Sequence, residues 1–297
     1  MQDGTARNEG VVRLPRGSRV AETAGFPGGT DGMTDSFGRR VEYLRISVTD
    51  KCNLRCVYCM PEEGLPWLRR EELLSYEEIQ RIVEVMAPMG LRRVRLTGGE
   101  PLVRKDLPAL VRLVSSVEGI EDLSISTNGV LLGELAGPLK RAGATRINIS
   151  LDSFRKERVD ALARRPGTFE RVLAGLRAAE EAGLAPIKIN VVLIRGKNDD
   201  EIVDFAEATR RHPWHVRFIE IMPTTSNLDL SEKDFFSCQE ALSRLQGLGD
   251  LQPVPGPAGN GPATYFRFPD AHGTVGVITP MSHNFCDRCN RLRLTAD

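Results

Sequence analysis

The sequence predicts an α/β protein built as a partial (β/α)6 barrel of the TIM type, followed by a C-terminal extension. Six short runs rich in β-branched residues alternate with longer amphipathic helical patterns, and this alternation is typical of parallel βαβ units. The alternation stops after Met222, and a connector rich in proline and glycine follows at 253–262. Polar residues follow most of the strand candidates, which is where such a barrel places its functional site.

The predicted elements are read from hydrophobic periodicity and from helix-capping signals. Ser75 and Glu78 have the spacing of a capping box at the start of the first helical pattern. A hairpin is predicted at 264–268 and 274–279. The strand candidates are 43–48, 93–96, 123–126, 146–151, 188–194 and 216–221, and the helical patterns are 75–86, 107–117, 133–142, 168–182 and 199–211.

These elements divide the chain into three predicted parts: a disordered leader at 1–32, the barrel at 33–222 and the extension at 223–297. Met33 is a second candidate for the true start. Lysine plus arginine equals aspartate plus glutamate at 40 each, so no overall field favours nucleic acid or a membrane surface. No apolar run is long enough to span a bilayer and no secretory signal is present, so we expect a cytoplasmic protein.

Three of the six cysteines, Cys52, Cys56 and Cys59, follow the first predicted strand with the spacing C-x3-C-x2-C. Thiolates this close together are ligands for an iron–sulfur cluster or for zinc. Three ligands would leave one iron of a four-iron cluster open to another molecule. The alternative is a structural zinc site completed by a fourth ligand.

A second pair, Cys286 and Cys289, lies near the end of the sequence with the spacing C-x2-C. Taken alone, such a pair is more often half of a zinc site. Arg291 and Arg293 follow at alternate positions, so a strand would direct both guanidinium groups to one side, as suits a phosphate ligand. The isolated Cys238 is predicted to be a buried free thiol.

Glycine and polar residues at the other strand ends complete the candidate site. Gly98 and Gly99 follow the second strand, and paired glycines allow the backbone to approach a ligand closely. Small polar groups follow the third and fourth strands, at Ser126 and Ser150, while Lys188 and Arg217 lie on the fifth and sixth. Each of these cations, taken singly, is more often a solvated surface residue.

Longer segments carry a family resemblance. CNLRCVYC at 52–59 and GGEP at 98–101 resemble the radical S-adenosylmethionine (SAM) superfamily. DSFGRRVEYLRISVTDKCNLRC, RLTGGEPLVR, INVVLIRGKND, RFIEIM and FCDRCNRLRLTAD resemble, more narrowly, the GTP 3′,8-cyclase family of molybdenum cofactor biosynthesis. The likeness extends from about Thr34 to Asp297, and the second cysteine pair with its arginines is its most specific part.

The resemblance implies two [4Fe–4S] clusters and S-adenosyl-L-methionine as cofactors. Cys52, Cys56 and Cys59 would hold the cluster that binds SAM, while Cys286 and Cys289 would hold two corners of a cluster that binds GTP. The family's third cysteine for that cluster falls beyond Asp297, the last residue here. The residues that match SAM contacts are Tyr58, Gly99, Ser150 and Met222, and those that match substrate contacts are Arg45, Arg95, Ser126, Lys188, Arg217, Arg291 and Arg293.

The activity implied by the resemblance is that of a lyase that converts GTP to (8S)-3′,8-cyclo-7,8-dihydroguanosine 5′-triphosphate through a 5′-deoxyadenosyl radical. The implied partners are GTP, an electron donor of the flavodoxin or ferredoxin type, the downstream cyclic pyranopterin monophosphate synthase and a second copy of the chain. Neither nucleic acid nor a membrane is expected as a partner. Two alternatives are a two-cluster radical SAM enzyme acting on a peptide, and a non-catalytic nucleotide- or metal-binding remnant should the chain end at 297.

Overall fold

The computed structural model describes residues 32–222, 230–257, 261–283, 285–286 and 289–297. The predicted disordered leader, apart from its last residue, lies outside this described part, and so do three residues of the proline- and glycine-rich connector. The predicted division between barrel and extension falls beside the undescribed residues 223–229 and stays a prediction.

A single ten-stranded sheet forms the framework of the described chain, in the order β10-β1-β2-β3-β4-β5-β6-β9-β8-β7. Neighbours from β10 to β9 are parallel, whereas β9, β8 and β7 are antiparallel to one another. The strands are β1 (Tyr43–Ser47), β2 (Arg93–Thr97), β3 (Asp122–Thr127), β4 (Arg146–Ser150), β5 (Ile187–Leu193), β6 (His215–Glu220), β7 (Gln252–Val254), β8 (Thr264–Arg267), β9 (Thr274–Ile278) and β10 (Arg291–Leu294).

Helices connect the parallel strands and cover one face of the sheet. Ser75 caps the first helix by accepting from the backbone N–H of Glu78, as the capping-box spacing predicted. The helices are α1 (Tyr76–Met86), α2 (Leu107–Ser115), α3 (Leu132–Arg141), α4 (Lys156–Ala163), α5 (Thr168–Glu181), α6 (Ile202–Arg211) and α7 (Cys238–Gln246). None of the helices in the described part of the chain is long and apolar enough to cross a membrane.

The two faces of the parallel strands have opposite character, because successive side chains of a strand point to opposite sides. In β1, Leu44 and Ile46 belong to the hydrophobic core shared with the helices. Arg45 between them, and Arg95 beside it in register, line a cavity on the other face. The interior of a TIM barrel is ordinarily filled by branched apolar side chains. A polar interior therefore indicates a chamber for a polar ligand.

The predicted partial barrel is confirmed, and so are its six strands, its five helical patterns and the C-terminal hairpin. The structure adds α4, α7, β7 and β10, which were not predicted. Two strands of the extension join the barrel sheet: β9 pairs with β6, and β10 pairs with β1. The extension therefore contributes a parallel strand to each side of the six-stranded barrel sheet.

Candidate active site

One cavity of about 600 Å³ lies at the carboxyl ends of the parallel strands. Its lining includes both cysteine groups and the loops that follow β1, β2 and β3. Every residue of the predicted site lines it except Lys188. The chain thus brings the two distant cysteine motifs together in a space large enough for small-molecule ligands.

The end of α4 is hydrogen-bonded to the loop that carries the cysteine trio. Backbone N–H groups of Arg55 and Val57 donate to the carbonyl oxygens of Ala163 and Leu162, at 3.1 and 3.0 Å. Just beyond α4, the Arg165 guanidinium donates to the carbonyl of Asn53. The spacing of the three thiols therefore depends on a helix that is distant in sequence.

The glycine pair after β2 packs against this same loop. The backbone N–H of Gly99 donates to the Thr49 carbonyl at 2.8 Å, and Glu100 N–H donates to the Lys51 carbonyl at 2.8 Å. A Cβ on either Gly98 or Gly99 would come well inside 3.0 Å of backbone atoms of residues 49–51. Glycine is thus required at both positions because the backbone packs directly against the cysteine loop. This reason is separate from the predicted close approach of a ligand.

Glu100 joins the second and third strand-end loops. Its buried carboxylate accepts from Thr127 Oγ1 at 2.6 Å, from Asn128 N–H at 2.6 Å and from Leu102 N–H at 3.0 Å. Burial nevertheless raises the pKa of Glu100 to about 7, against the effect of these hydrogen bonds. These hydrogen bonds align the loops that follow β2 and β3 at the cavity.

Tyr58, one of the predicted SAM contacts, donates its hydroxyl to Asp152 at 2.7 Å. The other oxygen of Asp152 accepts from the backbone N–H of Val192 at 2.8 Å. Burial raises the pKa of Asp152 to about 6 and that of Tyr58 well above its ordinary value. This pair ties the cysteine loop to the ends of β4 and β5.

The donor set of the trio fits an iron–sulfur cluster. Cys52, Cys56 and Cys59 are free thiols that line the cavity, and burial raises the pKa of each. Without a metal, the thiols are therefore protonated at neutral pH. Within the residues that the structure describes, no three histidine, cysteine, aspartate or glutamate side chains gather closely enough to hold one metal ion.

The second cysteine pair lies at the start of β10 and next to arginine. Arg291 Nε lies 3.3 Å from Cys289 Sγ. The pKa of Cys289 is lowered on balance, because the hydrogen bonds and charge of Arg291 outweigh the opposing effect of burial. Arg39, which the sequence did not single out, donates to the carbonyl of Cys286 and pairs with Asp35. Only the DSFGRR segment of the family resemblance pointed to it.

The cavity is strongly basic. Five arginines line it, and Glu100 is the one carboxylate among its described lining residues. Parallel pairing places Arg45 beside both Arg95 and Arg293. Burial lowers the pKa of Arg45 and Arg217 and lowers that of Arg95 to about 9, and neighbouring arginines add to the effect. Buried cations that repel one another favour the binding of a polyanion.

Two cavity-lining residues keep polar atoms without a hydrogen-bond partner among the described residues. These atoms are Nε of Arg217 and Oδ1 of Asn190, both buried. Asn190 was not among the predicted site residues, although it lies next to Arg217 in the parallel register. Such atoms suit a polar ligand, because an unpaired buried donor or acceptor is unfavourable.

Lys188 lies on the interior face of β5 but outside the cavity lining. Its Nζ is 3.5 Å from the carbonyl of Pro257, and its side chain is buried. Burial, followed by the charges of Arg217, Arg146 and Arg95, lowers its pKa to about 6. Its predicted contact with substrate stays a prediction. Cys238, by contrast, is confirmed as a buried free thiol.

Comparison with known proteins defines the class first. The radical SAM superfamily profile matches residues 46–209, and the profile Molybdenum Cofactor Synthesis C matches residues 214–297. SuiB of Streptococcus suis, solved bound to the precursor peptide SuiA, has a similar fold: the TM-score is 0.55 and the identity 18%, over 70% of this chain and 46% of that chain. Fold and cysteine trio together define a radical SAM protein.

Curated relatives narrow the class to one family. The GTP 3′,8-cyclases of Moorella thermoacetica and Pelotomaculum thermopropionicum are each 51% identical over 265 residues, covering 89% of this chain and 81% of the relative. The chain belongs to the GTP 3′,8-cyclase family. The resemblance predicted from the sequence is confirmed.

Proposed function

We propose that this chain is a GTP 3′,8-cyclase, a radical SAM lyase that converts GTP to (8S)-3′,8-cyclo-7,8-dihydroguanosine 5′-triphosphate in molybdenum cofactor biosynthesis. The observation that carries the proposal is a single cavity whose lining combines the cysteine trio, the cysteine pair and five arginines. A cluster that generates a radical and a site for an anionic substrate must lie together for this reaction.

Cys52, Cys56 and Cys59 hold the [4Fe–4S] cluster in this proposal, and Tyr58, Gly99, Ser150 and Met222 contact SAM. When bound, cluster and SAM supply the 5′-deoxyadenosyl radical that removes the 3′ hydrogen of the GTP ribose. The chain's own part is orientation: Glu100, Asp152 and the glycine pair keep three strand-end loops aligned around the thiols.

Cys286 and Cys289 would hold two corners of the second [4Fe–4S] cluster, which would supply a binding position for the guanine base. Arg291 and Arg293 continue from the pair onto β10, where the pairing with β1 brings Arg293 beside Arg45. The triphosphate binds these cations together with Arg95, Ser126, Lys188 and Arg217. Guanidinium groups suit this work because each can donate two parallel hydrogen bonds to phosphate oxygens.

A peptide substrate is disfavoured. The likeness to the peptide-bound protein SuiB, at 18% identity, concerns the fold only, whereas relatives at 51% identity are GTP 3′,8-cyclases. The cationic lining is also better matched to a triphosphate than to a peptide backbone, which carries no net charge.

We propose a wider setting for the enzyme as well. The enzyme works in the cytoplasm, receives electrons from a flavodoxin- or ferredoxin-type donor and delivers its product to a cyclic pyranopterin monophosphate synthase. It acts as a homodimer. The chain is organised as a barrel at 33–222 and an extension at 223–297.

The proposal is tested with anaerobically reconstituted protein, dithionite, SAM and either GTP or ATP. Expected products with GTP are 5′-deoxyadenosine and a cyclised guanosine triphosphate, with ATP giving no cyclised nucleotide. Formation of 5′-deoxyadenosine with no GTP-derived product would contradict the assignment. Zinc as the bound metal, without iron or acid-labile sulfide, would contradict the radical mechanism itself.

A further inference from the structure

Glu220, the last residue of β6, accepts four hydrogen bonds from two other segments although its side chain is almost wholly buried. Its Oε1 accepts from Cys238 N–H at 3.0 Å and from Ser282 Oγ at 2.6 Å. Its Oε2 accepts from the backbone N–H groups of Met281 and Ser282, at 3.1 and 2.9 Å. Each carboxylate oxygen thus accepts two hydrogen bonds, and all four donors are uncharged groups.

Two of the three residues that donate to Glu220 belong to the turn that leads from β9 toward the second cysteine pair. The turn closes on itself, with His283 N–H donating to the Thr279 carbonyl at 3.1 Å and Thr279 Oγ1 to the His283 carbonyl at 3.3 Å. Cys286 follows Ser282 by four residues. The position of the turn therefore constrains where the first thiol of the pair enters the cavity.

The end of β6 also leads to one of the predicted SAM contacts. Met222, which lines the cavity, lies two residues after Glu220. A shift between β6 and the turn would change the distance between the SAM contacts and the second cysteine pair. Radical transfer tolerates little misplacement, because reacting atoms must approach to near van der Waals contact.

We propose that Glu220 is a positioning residue, whose carboxylate holds the turn at Thr279–His283 against β6 and thereby sets Cys286 and Cys289 across the cavity from the first cysteine trio. The inference rests on the proposed function insofar as it treats these two cysteines as cluster ligands. The holding contact itself is a property of the polypeptide and can be measured without any cluster.

A carboxylate is needed here because four donors converge on two oxygens. The substitution Glu220→Gln keeps the size of the side chain but leaves one oxygen able to accept. Its NH2 group would face either the two backbone N–H groups of the turn or Cys238 N–H and Ser282 Oγ, of which only the hydroxyl can turn to accept. At least one of the four hydrogen bonds would be lost, and those that remain would have a neutral acceptor in place of a charged one.

Hydrogen–deuterium exchange of the metal-free full chain tests the contact. In Glu220→Gln, we expect the amides of Met281 and Ser282 to exchange about tenfold faster, because their hydrogen bonds are either lost or made to a neutral acceptor instead of a charged one. Peptides covering the first cysteine loop should exchange as in the wild type. Unchanged exchange at Met281 and Ser282 would overturn the inference.

A matched control is Glu201→Gln. Glu201 is also fully buried and accepts from Ser153 Oγ at 2.6 Å and Phe154 N–H at 2.7 Å. It differs from Glu220 in that it also pairs with Arg158, and none of these partners belongs to the turn. The variant should lower thermal stability without affecting exchange at Met281 and Ser282. An equal effect of both variants on the turn would show a general loss of stability and would overturn the inference.

Should Glu220→Gln fail to fold, Ser282→Ala provides the graded test. This variant removes one of the four donors and leaves the Glu220 carboxylate with its three other hydrogen bonds. Because one hydrogen bond of modest strength is lost, exchange at Met281 and Ser282 should become about threefold faster. No change in Ser282→Ala would contradict the proposal.

Anaerobic reconstitution separates this inference from the proposed function. We expect Glu220→Gln to lose the spectroscopic signature of the second cluster while it retains reductive cleavage of SAM. A variant that loads both clusters like the wild type would overturn the positioning role. A wild-type protein without a second cluster would instead contradict the proposed function, while faster exchange confined to the turn would still support the role of Glu220.

Discussion

At the scale of single residues, the interior face of the sheet carries charges where burial is unfavourable. Arg95 stacks over the ring of Tyr43 with its charged carbon 5.3 Å from the ring centre, and Arg217 donates to Asn148 Oδ1 at 3.0 Å. These contacts hold the cations in place without neutralising them. Their charge remains available to a polyanionic ligand.

Lys188 should take up a proton when GTP binds. Its pKa of about 6 lies below the ordinary 10.5, so the unfolded chain binds a proton that the folded chain lacks between these values. Stability therefore rises with pH across this window. Burial is the largest cause of the lowered pKa, followed by the charges of Arg217, Arg146 and Arg95. A bound triphosphate would oppose those charges and so raise the pKa of Lys188, in the same direction as Asp122.

Calorimetric titration with GTP in two buffers of different ionisation enthalpy measures this uptake. At pH 7.5 we expect the wild type to take up more protons per GTP than Lys188→Met, because the charge of the triphosphate favours the protonated form of Lys188. The neighbouring His215 has a pKa near 4, lowered mainly by burial, and stays neutral at this pH. Equal uptake by wild type and Lys188→Met would contradict the substrate role of Lys188.

Gly99→Ala should disable the first cysteine loop. The new methyl group would collide with backbone carbonyls of Asp50 and Lys51, and such overpacking costs about 1–3 kcal/mol. We expect loss of SAM cleavage together with a lower melting temperature. Gly133→Ala is the control: it has open space around its Cβ position within α3, so a gain of about 0.5–1 kcal/mol in stability is expected. Cleavage by Gly99→Ala at the wild-type rate would show that the close approach is not required.

At the scale of elements, the turn between α4 and α5 supports the cysteine loop. Asp160 of α4 accepts from the backbone N–H groups of Gly167, Thr168 and Phe169, at 2.9, 2.9 and 3.1 Å. It thereby caps the start of α5. The arginine side chains of the intervening turn reach the loop, since Arg164 donates to the Met60 carbonyl at 3.2 Å.

Asp160→Ala should reduce stability by about 1–2 kcal/mol, as expected for the loss of a helix cap. It should also slow SAM cleavage, because the turn that holds the cysteine loop is loosened. Ser75→Ala removes the cap of α1, away from the cavity, and should cost about 1 kcal/mol while leaving cleavage unchanged. If both variants cleave SAM equally well at a temperature where both are folded, the support from α4 is not functional.

The sequence predicted the repeating βα elements well because their signals are local. It failed where the signals are weak or arise from distant contacts. Helix α4 has only eight residues, and its apolar spacing is poorly periodic. Helix α7 was not predicted, although Ser237 and Glu240 have the spacing of a capping box in the sequence. Strand β10 alternates arginine and leucine over four residues, and it forms a strand because β1 offers a parallel edge.

The candidate site was likewise predicted where its signals are local and missed where they depend on distant contacts. The motif residues were correctly expected at the strand ends, because parallel strands bring their carboxyl ends together. The backbone contacts that require Gly98 and Gly99, the partner of Tyr58, and the four donors around Glu220 join segments far apart in the chain. Sequence spacing contains no information on such contacts, so only the folded structure shows them.

At the scale of the whole molecule, the extension completes a cavity that the barrel begins. β10 adds to the β1 side of the sheet and β9 to the β6 side, so residues from both ends of the described chain line the same space. In the proposed function, the barrel holds the cysteine trio and five of the cations and polar groups that bind substrate, and the extension adds the second cysteine pair with Arg291 and Arg293.

Arg293→Ala should therefore separate the two tasks. We expect GTP binding about 10- to 100-fold weaker, as for the loss of charge-assisted hydrogen bonds to phosphate, while SAM binding is unchanged. Arg267→Ala in β8 removes an exposed arginine and should bind GTP like the wild type. Equal weakening of SAM and GTP binding by Arg293→Ala would instead indicate general damage to the cavity.

In the proposed function, one cavity generates a radical and directs it to the ribose of GTP. The most direct measurement is deuterium transfer from [3′-²H]GTP in the reconstituted enzyme, followed by mass spectrometry of 5′-deoxyadenosine. We expect deuterium in 5′-deoxyadenosine together with a 3′,8-cyclised nucleotide. Unlabelled 5′-deoxyadenosine, formed while GTP is recovered unchanged, would contradict the proposed function.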